Sequence, residues 1–85
     1  MPEKKTALYR TSDIYFSSYL MSLDVPLIST ENKIGDDGSR KVMFVFNAPE
    51  SDIGRMKAQY FGGNGTVRAR RFVDNLRNLK SMCFA

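Results

Sequence analysis

Gly35-Asp36-Asp37-Gly38-Ser39-Arg40-Lys41-Val42-Met43-Phe44-Val45-Phe46-Asn47 is the stretch that decides the fold. Glycine and aspartate tolerate the dihedrals of a chain reversal, so Gly35 to Gly38 reads as a tight turn. Lys41 to Asn47 then alternates, with Val42, Phe44 and Phe46 on one face and Met43 and Val45 on the other. A strand apolar on both sides is usually central in its sheet or covered on both faces. Upstream, Leu27 to Glu31 alternates and carries β-branched residues, which makes it the other arm of a hairpin. Ala7-Leu8-Tyr9-Arg10 reads as a short first strand and completes a three-stranded antiparallel sheet.

Helices fill the intervals. Thr11, Ser12 and Asp13 are three candidate caps for a helix over Asp13 to Leu23, because each side chain can accept from the unpaired amides of a first turn. Phe16, Tyr19, Leu20 and Leu23 fall at the three-four spacing of one face, while Ile14 and Met21 lie on the other side and Tyr15 at a flank. A helix apolar on more than one face is either wedged between two layers of its own domain or meets another chain. Asp24-Val25-Pro26 ends it, since the residue before a proline is driven out of the helical region.

Asn47-Ala48-Pro49-Glu50 has the form of a second helix start, with asparagine as cap, proline in the first turn and glutamate returning a hydrogen bond. That helix would run to Tyr60 or Phe61, with Ile53, Met56 and Tyr60 inward, and stop at Gly62-Gly63-Asn64-Gly65. As a phosphate loop, this glycine cluster lacks the Lys-Ser/Thr and the preceding strand that such loops require. A last helix, Arg68 to Met82, shows an apolar stripe of Ala69, Phe72, Val73, Leu76, Leu79 and Cys83. The string is β-α-β-β-α-α: an α+β domain over residues 7–85 with helices on one or both faces of the sheet, preceded by a flexible tail over residues 1–6.

The 85 residues hold no histidine, no tryptophan and one cysteine. This removes the imidazole base, the Ser-His and Cys-His nucleophile pairs and the usual zinc ligands. Asp36 and Asp37 read as turn residues, too few to hold a divalent cation. Cys83 reads as a member of the stripe, with no histidine or helix N-terminus to activate a thiolate. The expectation is a non-enzyme with no metal, no cofactor and no small-molecule substrate. Met1 to Thr6 is polar and unlike a signal peptide, and the longest apolar run, Val42 to Phe46, is too short for a membrane helix. With no pair of cysteines to staple it, so small a domain is expected in the cytoplasm.

Charge is informative by position. Up to Gly65, eight basic and eight acidic residues cancel, whereas Arg68, Arg70, Arg71, Arg77 and Lys80 face only Asp74 beyond it. The formal +4 therefore belongs to the last twenty residues, and a cationic segment on a neutral body points to an anionic partner.

Tyr9-x-Thr11-x-Asp13-x-Tyr15, Tyr19-Leu20, Phe44-x-Phe46, Tyr60-Phe61-x-Gly63, Val67-x-Ala69-x-x-Phe72 and Leu76-Arg77-x-Leu79-Lys80 together resemble a family of small domains from bacterial, archaeal and phage reading frames. Its activity is uncharacterised. The resemblance runs from Ala7 to Lys80 and implies a stand-alone prokaryotic or phage domain. It carries over no catalytic residue or cofactor.

Two functional expectations follow. In the first, Arg68, Arg70, Arg71, Arg77 and Lys80 grip nucleic-acid phosphates, Asn75 and Asn78 reach base edges, and Tyr60 and Phe61 stack on unpaired bases. The bland reading is a solvated helical face whose Arg70 and Arg77 neutralise Asp74 along the helix. In the second, the domain binds a protein or a second copy of itself through Ile14, Met21 and Tyr15 on the first helix.

Overall fold

The computed structural model describes residues 7–84. The expected flexible tail over residues 1–6 lies outside the described residues. Six elements follow in the order β1 (Leu8–Thr11), α1 (Ile14–Ser22), β2 (Leu27–Ile34), β3 (Arg40–Asn47), α2 (Glu50–Phe61) and α3 (Ala69–Phe84). The expected β-α-β-β-α-α string is the observed one.

The two-sided apolar strand sits in the middle. The sheet order is β1-β3-β2, with both neighbours antiparallel to β3. β1 and β2 are thus parallel to each other, joined through α1, with β3 inserted between them. The hairpin closes where the Gly35 N–H donates to the Ser39 carbonyl at 2.8 Å. Its first arm runs three residues beyond the expected Glu31, to Ile34, because the turn is tight enough to keep the ladder paired up to it.

All three helices pack on one face of the sheet. Phe44 and Phe46, with Tyr9 and Leu27 opposite Phe46, meet Phe16, Tyr19 and Leu20 of α1, Ile53 of α2 and Leu79 of α3. Among the described residues no helix covers the other face. Val45 lies there, yet is only 2% exposed. The Arg10 guanidinium of β1 reaches over β3 to the Glu31 carboxylate of β2 at 3.1 Å, so an ion pair between the two outer strands roofs the central one.

The apolar excess of α1 is resolved internally, since α1 is flanked by α2 and α3. Phe16 and Tyr19 pack against Tyr60 in tilted contacts with ring centroids 5.5 and 5.1 Å apart, while Ile14 and Met21 pack against the core. Ser17, Ser18 and Ser22 are buried as well. Each hydroxyl donates to the carbonyl four residues back, at 2.7–2.8 Å, so these small side chains enter the interior without an unpaired polar atom. Of the three candidate caps, Asp13 is the one used: its Oδ1 accepts from the Tyr15 and Phe16 amides, both at 3.0 Å.

Both α1 and α2 end in the same device. Past α1, the Asp24 amide donates to Met21 and the Val25 amide to Leu20. Past α2, the Gly63 amide donates to Tyr60 and the Asn64 amide to Gln59. This pair of reversed bonds needs a left-handed residue at its corner. Gly63 fills it at φ 78° without strain, whereas Asp24 fills it at φ 65° as a non-glycine. The loop after α2 then passes so close to α1 that a Cβ at Gly65 would overlap the Tyr19 hydroxyl.

The start of α2 departs from expectation. Asn47 remains in β3 opposite Leu8, so Pro49 takes the cap position and no side chain closes it. Glu50 and Asp52 in the first turn suit the positive end of the helix dipole instead.

Candidate nucleic-acid interface

α3 lies antiparallel along α1. Near its start, Arg71 donates to the Asp24 carboxylate just past the end of α1, at 2.6 Å. Near its end, Met82 and Cys83 share a groove with Ser12, just before α1. The docking side of α3 is Phe72, Asn75, Leu76, Leu79 and Cys83, with Leu79 fully buried. Ala69 and Val73, expected in the stripe, are exposed. α3 has turned toward α1, where the Asn75 amide donates to the Ser22 hydroxyl at 3.1 Å, and that rotation lifts Val73 out of contact.

This docking sorts the candidate residues. Asn75 is half-buried and committed to Ser22, which removes it from any base-reading role. Asn78 is exposed. Arg70 pairs with Asp74 one turn along at 3.4 Å, with its side chain 89% exposed; so open a pair is weak and readily exchanged for another anion. Arg71 is tied to Asp24. Arg68, Arg77 and Lys80 are exposed and form no ion pair among the described residues. Of the aromatic pair, Tyr60 is half-buried against Phe16 and Tyr19, while Phe61 stands 66% exposed beside Phe16. Tyr15 is exposed, but Ile14 and Met21, named with it as a contact surface, are occupied by the core.

Two cations that segment-by-segment charge counting had cancelled belong to the same region. Arg40 and Lys41, at the start of β3, rim a groove of about 470 Å³ with Ser12, Asn32, Met82 and Cys83 at the far end of α3. At the near end, Arg68 and Arg71 rim a shallower groove of about 400 Å³ with Ser22, Leu23, Thr66 and Val67. Arg40 and Lys41 form no ion pair among the described residues. The nearby Asp37 carboxyl is held below the ordinary range by Ser39 hydrogen bonds first and, last and least, by the charge of Lys41, which it partly offsets.

The Arg71 guanidinium likewise holds the Asp24 carboxyl below its usual range, through the hydrogen bond first and charge second. A depressed carboxyl stabilises the fold above its unfolded-state pKa, and that contribution fades as pH falls through the folded-state value. We expect the Asp24 side-chain carbon, followed by NMR, to titrate below the ordinary aspartate range and to return to it in Arg71→Ala. An ordinary midpoint in the unaltered chain would remove the Arg71 tie from solution.

Among the described residues no three His, Cys, Asp or Glu side chains gather as metal ligands, and no helix is long and apolar enough to cross a membrane. No family model, curated protein or solved structure matches the chain.

Proposed function

We propose that the chain is a small non-enzymatic binding module that holds a nucleic-acid backbone along α3. The observation that carries this reading is the placement of cations along the whole helix. Arg68 rims the groove at its start beside the Arg71–Asp24 pair, Arg77 and Lys80 are exposed along its second half, and Arg40 rims the groove at its end. Guanidinium groups match phosphate oxygens in two-point contacts, and a row of them follows a phosphate chain without reading its sequence. Asn78 is the one exposed amide of the original pair left to meet a base edge. Phe61 supplies an exposed ring for an unpaired base.

Binding of this kind is driven by counterion release and weakens steeply with salt. Anisotropy titrations with single- and double-stranded oligonucleotides at about 50 and 200 mM salt test it. Association at the lower concentration and a marked loss at the higher one are expected. No association at the lower concentration overturns the reading.

A further inference from the structure

We propose that the outer edge of β2 pairs antiparallel with the same edge of a second copy, in the register that sets Glu31 opposite Lys33 of the partner subunit. β2 ends the sheet on its side, with no strand beyond it among the described residues. The hairpin determines which of its backbone groups face outward. Gly35 is hydrogen-bonded to Ser39 at the turn, so by the alternation of an antiparallel ladder Lys33, Glu31 and Ser29 bond to β3. Thr30, Asn32 and Ile34 turn their N–H and C=O groups away from the sheet. All three are exposed, Ile34 at 75%.

A twofold axis must set outward-facing residues against outward-facing residues, which leaves a short series of registers. Centring on Glu31 opposes two glutamates, and centring on Lys33 opposes two lysines; both are unfavourable. Centring on Thr30 runs the ladder into the irregularity between Leu27 and Ser29. Centring on Asn32 alone gives two opposite-charge pairs, with Thr30 facing Ile34 of the partner subunit on either side.

The charges in the single chain fit that partner. Lys33 lies directly opposite Lys41 on β3, a like-charge neighbour, and forms no ion pair among the described residues. The partner's Glu31 supplies a carboxylate on its other side. Glu31 accepts from Arg10 Nε at Oε1 and retains Oε2 for the second contact.

Sedimentation equilibrium of the full chain, from micromolar to millimolar concentration, tests the pairing. The unaltered chain is expected to dimerise. Glu31→Lys and Lys33→Glu should each weaken the dimer by about tenfold or more, as two attractive pairs become repulsive. An equimolar mixture of the two variants should associate again, because across the axis their charges are opposite. Arg10→Ala breaks the same internal ion pair as Glu31→Lys and should leave the dimer intact. A monomer throughout, a dimer indifferent to either reversal, or a mixture of folded variants that stays apart overturns the proposal. Where a reversal prevents folding, Asn32→Pro decides: it removes an outward N–H and no bond to β3, and a dimer that survives it refutes the register.

Discussion

Phe46→Ala should bring the domain close to unfolding. Phe46 is fully buried on the central strand and lies between Tyr9 of β1 and Leu27 of β2, facing the helices. Truncating such a ring costs about 3–5 kcal/mol, from lost transfer energy and from the cavity left behind. A domain of this size has roughly 4–13 kcal/mol in all, at about 0.05–0.15 kcal/mol per residue. Urea unfolding followed by circular dichroism should show a midpoint lowered by about 1.5 M or more, or no folded baseline, for a small-protein slope of about 1–2 kcal/mol/M. Val73→Ala, at an exposed position on α3, should stay within about 0.5 kcal/mol of the unaltered chain. A loss under about 1 kcal/mol for Phe46→Ala would mean that the helices do not close over this face.

The second large effect concerns the exposed cations along α3. Arg68→Glu, Arg77→Glu and Lys80→Glu combined replace three unpaired cations without touching the Arg71–Asp24 tie. Three phosphate contacts contribute about 2.7 to the slope of log affinity against log salt, which alone is roughly a 40-fold change between 50 and 200 mM. The reversed charges add repulsion. The triple variant should therefore lose oligonucleotide binding by at least about 100-fold at low salt. Its thermal midpoint should hold, since none of the three side chains is in the core. Unchanged binding in a folded triple variant would place the nucleic-acid surface elsewhere or nowhere.

The element string and the central strand were legible because their signals are local. The Gly-Asp-Asp-Gly reversal and the alternation of Val42 to Phe46 require neighbours in the chain only. Long-range choices were hidden. Nothing in the spelling of Asp24 and Arg71 pairs them, because the docking of α3 against α1 brings them together. The same docking rotated Val73 into solvent and Asn75 against α1. Ser17, Ser18 and Ser22 carry no apolar signal, yet their hydroxyls bond back along the helix and are buried. Arg40 and Lys41 were masked by counting charge along the chain, since the acids that cancelled them lie in the turn and elsewhere. Asn47 has good cap chemistry, but pairing with Leu8 held it in the ladder.

The insertion of β3 between β1 and β2 also bears on the order of events when the chain folds. The hairpin closes across a five-residue turn, 35–39, whereas Tyr9 must wait for Phe46, with α1 and β2 intervening. Loop closure costs more entropy for the longer connection, so contacts distant in sequence tend to form late. We expect substitutions along the hairpin, such as Val42→Ala, to slow refolding, and Tyr9→Ala to act chiefly by hastening unfolding. Stopped-flow chevrons would show the reverse partition if the first strand were instead part of the nucleus.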